Sequence, residues 1–299
     1  MKQGDTGAQP TPVVERVREL TPGVLEMLHA LVVHSHWNQV GRDWALFHSQ
    51  GTVFAVRDAE QRIVASGAVL PMTANPPAVA STAAPGGVAW ISMILVTPAA
   101  RGRGLGRWVF EHCVRQVQGD GRIAMLDATP QGEPLYRQFG FEALWRLTRW
   151  RREARPLSQP LRTSATPSVE TMLALDRQAV GFDRRALLLN LLQRPDTRWL
   201  QAEQAFAILR TGRVAQHIGP LVAGTEAAAI ELLEQICAGS ESPLLIDAPD
   251  NQPALRQALV GAGFQPQRGF ARMAQAGPGA AIAQARLSWL HAIAGPEYG

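Results

Sequence analysis

One short stretch, residues 97–109, constrains the fold more than any other part of the chain. It reads TPAARGRGLGRWV and follows the apolar run GVAWISMILV. The run predicts a buried strand, and from Leu105 onward the apolar residues recur with helical spacing. Between them lie three glycines, Gly102, Gly104 and Gly106. The sequence therefore predicts a strand that passes through a glycine turn directly into a helix.

Such a turn has the physical properties of an anion-binding site. The first N–H groups of a helix have no partner inside the helix, and the helix dipole adds partial positive charge there. Glycines let the main chain approach an anion without obstruction by Cβ atoms. A P-loop is not favoured because no Lys-Ser or Lys-Thr pair follows, and a Gly-x-Gly-x-x-Gly run from Gly102 would need glycine at Arg107. We interpret the stretch as a phosphate cradle; the alternative is a surface turn without a ligand.

The elements around the cradle predict a sheet flanked by helices. TPGVLEMLHALVVHSHW is predicted to be a helix with Thr21 as N-cap and Pro22 at its first position, and RDWALFHSQ a shorter helix. A hairpin that turns at residues 59–60 precedes a long strand over 88–96. After the cradle helix come the strand RIAMLDAT, the short helix EPLYRQF and the strand FEALWRLTRW.

The second half of the chain repeats this plan. LDATPQGEPLYRQFGF matches LIDAPDNQPALRQALVGAGF, and WISMILV matches QHIGPLV. Residues 151–168 have the proline and polar content of a linker. With a length of 299 residues, about twice that of a usual domain, the chain is predicted to hold a disordered tail over 1–12, a first domain over 13–150 and a second over 169–299.

Composition restricts the function classes only loosely. The two cysteines favour a reducing, cytoplasmic environment over a disulfide framework, and no apolar run is long enough for a membrane helix. The net charge is +4, and Lys2 is the only lysine among 29 basic residues, so the basic balance does not indicate nucleic-acid binding. We interpret the densest cluster as a solvated strand end, with phosphate contact as the alternative. Its members are Arg146, Arg149, Arg151, Arg152 and Arg155.

The spacing Arg101-x-x-Gly104-x-Gly106 after a strand ending in ILVTP resembles the acyl-CoA signature of the GNAT superfamily of N-acetyltransferases. The stretches WNQVGRDW, YRQFGF, GFDR and GRVAQHIGPLVA are similar to those of a bacterial subgroup with two GNAT-like units in tandem, so the resemblance covers nearly the whole chain. It implies an α/β (α+β) fold with two units, each a mixed, mostly antiparallel central sheet flanked by helices. The first unit would be the catalytic domain and the second a degenerate one.

The resemblance implies acetyl-CoA (coenzyme A) as the cofactor. Main-chain N–H groups of residues 101–107 would hold its pyrophosphate. Edge groups of residues 94–96 would pair with the pantetheine arm, and an N–H near Leu95 would polarise the thioester carbonyl. The predicted cofactor-binding residues are Ile94, Leu95, Val96, Arg101, Gly102, Arg103, Gly104, Leu105, Gly106 and Arg107.

The predicted catalytic residues are Tyr136 and Asp127. A phenol of pKa about 10 stays protonated at neutral pH and can protonate a departing thiolate, whose conjugate thiol has a pKa of about 8.5. The alternative for Tyr136 is a core residue. Asp127, or Asp43, could accept the proton of the amine, but either carboxylate could instead be structural, and many amines need no dedicated base. No metal site is predicted, because His34 and His36 lack a third ligand at suitable spacing.

The predicted acceptor-binding residues are Trp37, Asn38, Asp43, Asp183 and Arg184. The open alternatives are a tryptophan stripe, Trp37 and Trp44, that is part of the core, and a helix cap and ion pair for Asp183 and Arg184.

In the second half VAGTEAAAIELL lacks the cradle's arginines, and Leu259 stands where Tyr136 would, so that unit is expected to have lost cofactor binding. The predicted activity is acetyl transfer to a primary amine of a small molecule by direct attack in a ternary complex. Acetylation of a protein N-terminus or lysine, and a silent acyl-CoA sensor, are the alternatives. A homodimer is compatible with the sequence, and neither nucleic acid nor membrane is expected as a partner.

Overall fold

The structure is a computed structural model that describes residues 12–74, 87–160, 168–275 and 286–299. The strands of the first half are β1 (Val14–Arg16), β2 (Thr52–Arg57), β3 (Ile63–Ala74), β4 (Val88–Val96), β5 (Ile123–Ala128) and β6 (Glu142–Arg152). Its helices are α1 (Pro22–His34), α2 (Gly41–Gln50), α3 (Leu105–Gly119) and α4 (Glu133–Gln138). The tail predicted for 1–12 lies, apart from residue 12, outside the described residues.

The second half repeats the order of elements. Its strands are β7 (Phe182–Asp183), β8 (Arg198–Ala202), β9 (Ala205–Thr211), β10 (Gln216–Ala223), β11 (Leu244–Pro249), β12 (Gln265–Gln275) and β13 (Leu290–Ala292). Its helices are α5 (Val169–Val180), α6 (Arg185–Leu192), α7 (Glu226–Ala238) and α8 (Pro253–Gly261). Among the described residues, no helix combines the length and the apolar character needed to cross a bilayer.

The helix starts follow the capping residues in the sequence. The side-chain oxygen of Thr21 accepts a hydrogen bond from the N–H of Val24 (3.3 Å), and Pro22 is the first residue of α1. After the end of α4, Gly140 has φ +79°, a left-handed conformation that stops the helix. The strands β1, β7, β8 and β13 were not predicted, because each is too short to show a clear alternation.

The strands form one mixed sheet in which the two halves exchange their last strands. The order is β1-β2-β3-β4-β5-β12-β6-β11-β10-β9-β8, with β13 also paired to β10. Thus β12 of the second half lies against β5, and β6 of the first half lies against β11. Among the strands that the structure describes, only β4/β5 and β10/β11 are parallel pairs, so the predicted mixed, mostly antiparallel architecture is confirmed. The exchange was not predicted, because a hydrophobic pattern fixes a strand's faces but not its neighbours.

Each exchanged strand carries a buried ion pair. Arg272 on β12 binds both carboxylate oxygens of Asp127 on β5 (2.9 and 2.8 Å), and Arg149 on β6 binds both of Asp247 on β11 (2.7 Å each). All four side chains are at most 5% exposed. Removing one partner of such a pair typically costs 3–5 kcal/mol, because it leaves an uncompensated buried charge.

The prediction that the arginine cluster of residues 146–155 is a solvated strand end is therefore wrong for two of its members. Arg149 is buried in the ion pair with Asp247, and Arg152 is buried and donates to the carbonyl oxygens of Cys237 and Ser240 (3.0 Å each). The strand continues past the position predicted for its end because it completes the sheet of the second half.

Three apolar clusters pack against the sheet. One joins α1 and α2 of the first half to α5 and α6 of the second, and it contains the fully buried side chains of Trp44, Trp90 and Tyr298. The second packs α3 against the opposite face of β2–β4, and the third packs α7 and α8 against the strands of the second half. Each large buried side chain contributes roughly 1.5–3 kcal/mol. Trp44 is thus a core residue, the alternative that the sequence left open.

Candidate cofactor and acyl-transfer site

The site begins where β4 and β5 separate. These parallel strands pair over three residues only, from Val88↔Ile123 to Trp90↔Met125. Beyond Trp90, the edge of β4 that faces β5 has no strand partner among the described residues. We call this opening the first gap.

A β-bulge shapes the edge of the first gap. Two residues of β4, Met93 and Ile94, lie opposite the single residue Gly67 of β3, and Met93 adopts φ +56°. The hydroxyl of Ser66 donates to the carbonyl oxygen of Met93 (2.9 Å) and stabilises this unusual conformation. Bulges commonly redirect groups next to active sites.

Gly67 is required by the packing at this bulge. A Cβ atom on Gly67 would lie 2.5 Å from Cγ1 of Val109 on α3 and 2.8 Å from Cδ1 of Ile94. Glycine therefore allows α3 to pack closely on the bulged strand. Sequence reasoning missed this residue, although an isolated glycine in a strand pattern is a signal of close backbone approach.

The backbone of residues 94–96 borders the first gap as predicted. Leu95 is in register with Ser66, and the N–H of Thr97 donates to the carbonyl oxygen of Val64 (2.9 Å), so both face β3. Because N–H directions alternate along a strand, we expect the N–H groups of Ile94 and Val96, rather than that of Leu95, to face the gap. The N–H predicted near Leu95 is thus assigned to one of its neighbours.

The predicted cradle lies directly after β4. Gly102 and Gly104 have φ +75° and +76°, and Gly104 is the N-cap of α3. The helical hydrogen bonds begin with the N–H of Trp108, which donates to the carbonyl oxygen of Gly104 (3.1 Å). Within the described part of the chain, none of the backbone N–H groups of residues 102–107 donates a hydrogen bond. Six consecutive donors without partners at a helix start have the chemistry that a phosphate group requires.

The arginine side chains of the cradle differ in their contacts. Arg101 donates from Nε to the carbonyl oxygen of Val96 (3.2 Å). Arg107 donates to Oε1 of Gln138 (2.7 Å), and its guanidinium lies 5.0 Å from the centre of the Phe139 ring. Arg103 is exposed, and no hydrogen bond or ion pair joins it to the described residues. Arg101 and Arg107 thus stabilise the loop through these contacts. The guanidinium of Arg103 keeps a positive charge that could bind an anion.

Tyr136 lies on α4 in an apolar environment. Its ring centre is 4.5 Å from that of Phe110 and 6.4 Å from that of Phe141. Burial, together with the neighbouring thiol of Cys113, raises the pKa of Tyr136 to about 12. Its hydroxyl makes no hydrogen bond within the described chain. The phenol therefore stays protonated at neutral pH, and its hydroxyl is not engaged by a structural partner.

Asp127 is buried beside the first gap. Both of its carboxylate oxygens accept hydrogen bonds from Arg272, whose guanidinium lies between the rings of Trp90 (4.6 Å) and Trp145 (4.4 Å). Burial raises the pKa of Asp127 although Arg272 acts to lower it. Its role as a base stays a prediction, and the carboxylate would have to release a hydrogen bond from Arg272 to perform it.

Asp43 does not line an open acceptor pocket. Its buried carboxylate accepts hydrogen bonds from the N–H of Val40 (2.7 Å), the guanidinium of Arg194 (2.6 Å) and the hydroxyl of Tyr298 (2.7 Å). Although burial acts to raise the pKa of Asp43, the charges of Arg210 and Arg194 hold it below its ordinary value. The acceptor-binding role predicted for Asp43 is corrected to an ionic link between the two halves.

Asn38 and Trp37 likewise link the two halves. The Asn38 amide donates to the carbonyl oxygen of Ala215 (3.1 Å) and accepts from the N–H groups of Val214 and Ala215. Trp37 is partly buried in the core, and its carbonyl oxygen accepts from Nε of Arg213 (2.8 Å). The acceptor contact predicted for Asn38 is corrected, because its amide is already bonded to the β9–β10 turn.

Asp183 and Arg184 take the alternative that the sequence left open, a helix cap and an ion pair. Oδ1 of Asp183 accepts from the N–H of Arg185 at the start of α6 (2.7 Å). Arg184 is buried, binds both carboxylate oxygens of Asp176 (2.9 and 2.8 Å) and donates to the carbonyl oxygen of Gly299. The buried Arg184 thus has a structural role, and substrate contact by the partly exposed Asp183 stays a prediction.

The second half contains a corresponding opening, the second gap, between β10 and β11. These parallel strands pair from Gln216 to Ile218, and a register shift follows. Beyond that point β13 lies in the gap: it pairs antiparallel with β10, and the N–H of Ile293 donates to the carbonyl oxygen of Asp247 (3.0 Å). The chain's own strand thus occupies the place that stays open in the first half.

The helix after the second gap has no free cradle. Its N-cap, Thr225, accepts a hydrogen bond from the N–H of Ala228 through its side chain (3.2 Å), and the N–H of Gly224 donates to the carbonyl oxygen of Gln204 (2.9 Å). Leu259, at the position corresponding to Tyr136, is fully buried in the core. Among the described residues, no three His, Cys, Asp or Glu side chains come together as metal ligands.

Two family models match the chain. Residues 49–143 match one model of an acetyltransferase (GNAT) domain, and residues 172–287 match another with the same description. YitH of Bacillus subtilis, named as an uncharacterized N-acetyltransferase, is 26% identical over 184 residues. That match spans 58% of this chain and 65% of YitH, slightly less than two thirds of its length.

Solved structures share the fold over the whole length. A protein of Pyrococcus horikoshii, assigned as an acetyltransferase, has a TM-score of 0.76 at 18% identity over 100% of this chain and 99% of its own. A tandem GNAT protein from the clavulanic acid biosynthesis pathway has a TM-score of 0.61 at 14% identity, with 90% of this chain and 99% of its own covered. At these identities the two structures establish the fold alone.

Proposed function

Because the chain belongs to the GNAT superfamily of N-acetyltransferases and carries two GNAT units in tandem, we propose that it transfers an acetyl group from acetyl-CoA to a primary amine of a small molecule. The observation that carries the proposal is the row of six N–H groups of residues 102–107 without partners, next to the first gap. Their donors fit a pyrophosphate group, and Gly102 and Gly104 keep its approach free of side chains.

Acetyl-CoA, when bound, supplies the activated acetyl group as a thioester. The N–H groups of Ile94 and Val96 would hold the pantetheine arm along the first gap and withdraw electron density from the carbonyl. Direct attack by the amine in a ternary complex is proposed, because alignment of both reactants in one site lowers the entropic barrier. These roles agree with the backbone directions on β4.

Tyr136 would supply the proton for the departing thiolate. A pKa of about 12 keeps the phenol protonated over the working pH range. The same apolar surroundings raise the pKa of the Cys113 thiol, so a thiolate formed there is a stronger base than in water. The phenol can therefore protonate it even though its own pKa is raised.

One active site per chain is proposed. The second gap contains β13, and α7 is capped by Thr225, so neither the arm nor the pyrophosphate of a second acetyl-CoA has a place. In the first unit, a Gly104→Val variant places a branched side chain at φ +76° in the cradle, which strains the turn.

Calorimetry with acetyl-CoA tests the proposal. We expect one molecule bound per chain and at least tenfold weaker binding by Gly104→Val, with Gly119→Ala, where nothing lies near the added Cβ, as the matched control. Binding of two molecules, or none, would contradict the assignment. A screen of an amine library, with detection of the released thiol, would then identify the acceptor. If acetyl-CoA binds and no amine is acetylated, the result favours the alternative of a catalytically silent acyl-CoA sensor.

A further inference from the structure

A cavity of about 250 Å³ lies between the two units, away from the cradle. We call it the interunit cavity. Its walls come from the α1–α2 loop at Ser35 and His36 and from three exchanged or neighbouring strands, β6, β11 and β12. The three arginine side chains among its lining residues are Arg149, Arg151 and Arg268. Three cations around one partly open cavity repel one another unless negative charge balances them.

Two of the three arginines are already paired. Arg149 binds Asp247 through two hydrogen bonds of 2.7 Å, and Arg151 binds the exposed carboxylate of Glu153 (2.7 Å). Arg268, by contrast, makes no hydrogen bond or ion pair with the described residues, and its Nε is buried without a partner. Burial and the nearby charge of Arg149 lower the pKa of Arg268 to about 10. One cation at the cavity is therefore left without a hydrogen-bonded counter-charge; Asp247 and Glu297 act on it only over a longer distance.

The corresponding place in the first half is built differently. On β12 and β6, Arg149 lies opposite Arg268, whereas Arg272 lies opposite Trp145. The Trp145 ring stacks 4.4 Å from the guanidinium of Arg272, so an aromatic face stabilises that cation. At the cavity a second cation takes the place of the indole, and the guanidinium groups of Arg268 and Arg149 share one aromatic ring, that of Phe270, at 4.9 and 5.5 Å from its centre. Like charges on directly opposed residues are destabilising unless something lies between or beside them.

We propose that the interunit cavity binds a small organic oxyanion, a carboxylate or a phosphate ester, through the guanidinium of Arg268. The planar guanidinium forms two parallel hydrogen bonds with such groups. A cavity of about 250 Å³ has room for a small organic acid. Val214 and Leu245 add an apolar wall for the carbon skeleton. The site is separate from the acetyl-CoA cradle and does not depend on the proposed transfer reaction.

Thermal unfolding and calorimetry with added anions test this site in the absence of acetyl-CoA. Citrate, succinate and inorganic phosphate are compared with sodium chloride at equal ionic strength, because a bound ligand raises the unfolding temperature by mass action. We expect at least one of the three to raise it above the chloride value in the wild-type protein. In Arg268→Gln we expect at least tenfold weaker binding and no loss of stability without the anion, since the variant removes a half-buried cation that has no hydrogen-bonded partner among the described residues.

Arg256→Gln, an exposed position on α8, is the control with the same change in charge. It should bind like the wild-type protein. If Arg268→Gln does not fold, Arg151→Gln takes its place and should weaken binding several-fold. The proposal is overturned if none of the three anions exceeds chloride, or if Arg268→Gln binds as tightly as Arg256→Gln. Calorimetry with acetyl-CoA on the same samples measures cofactor binding separately from anion binding. A failure of one proposal is therefore distinguished from a failure of the other.

Discussion

Two gaps open in one sheet, on either side of the exchanged strands β12 and β6, and they differ in what lies inside them. Each begins where two parallel strands pair over three residues and then separate beside a bulge. The first leads to a row of free N–H groups, whereas the second holds β13 and leads to a helix capped by Thr225. A GNAT unit therefore keeps its fold when a strand of the chain fills the gap between its parallel strands.

The residues opposite the two bulges sharpen this comparison. In the first half the bulge faces Gly67, which lets α3 approach the strand. In the second half the register shift lies opposite Ile208, a fully buried core residue. The first gap, which is open, thus occurs where Gly67 lets α3 pack closely on the bulge. The second gap, which β13 fills, occurs where the buried side chain of Ile208 lies opposite the bulge.

The largest expected effect comes from the ion pairs beside the two gaps. Arg272→Met should lower the free energy of unfolding by about 3–5 kcal/mol, because Asp127 is left buried without compensation. Arg149→Met should cost less, since Nε2 of His217 still lies 2.9 Å from Asp247. Urea unfolding measures both. Arg115→Met, which removes an exposed pair on α3, is the control, with a cost of about 0.3–0.5 kcal/mol. Equal, small losses in all three variants would refute the role of the exchanged pairs.

The second prediction concerns Tyr136, the proposed acid, whose counterpart in the second unit is Leu259. Tyr136→Phe should lower kcat about 100-fold, the lower limit for general acid catalysis, while acetyl-CoA binding stays unchanged because the cradle is intact. Steady-state kinetics with an amine identified in the library and calorimetry provide the two readouts. An unchanged kcat across pH would show that another group protonates the thiolate.

The smallest effect concerns the helix starts. Thr225→Ala removes the cap of α7 and should destabilise the protein by about 1 kcal/mol, without any change in acetyl-CoA affinity. Thermal unfolding and calorimetry check the two parts separately. A weaker affinity in this variant would mean that the second unit contributes to cofactor binding after all.

Local features of the fold could be predicted from the sequence, and long-range partners could not. The strand, glycine turn and helix of residues 88–119 and the short helix of Tyr136 follow from apolar spacing and from Gly and Pro positions. The roles of Asp43 and Asn38 depend on Arg194 and Ala215, which lie 151 and 177 residues away. Nothing in the neighbouring sequence of either residue indicates such a partner.

The strands β13 and β6 are further cases in which the sequence pattern does not reveal the partner of a strand. The three residues of β13 have no alternation to detect, yet they decide that the second gap is closed. For β6, the dense cluster of arginines indicated a solvated strand end, because a sequence pattern does not distinguish an exposed arginine from one paired with a buried carboxylate on another strand.

The exchange of β6 and β12 has a consequence for biosynthesis. Arg272, the ion-pair partner of Asp127, lies 145 residues further along the chain. The sheet of the first unit therefore stays incomplete until most of the polypeptide has left the ribosome. Contacts this distant in sequence slow folding, because loop-closure entropy is lost before the contacts form. The two units are therefore expected to fold together. Each unit expressed without the other would lack the exchanged strand, β12 or β6, that completes its sheet.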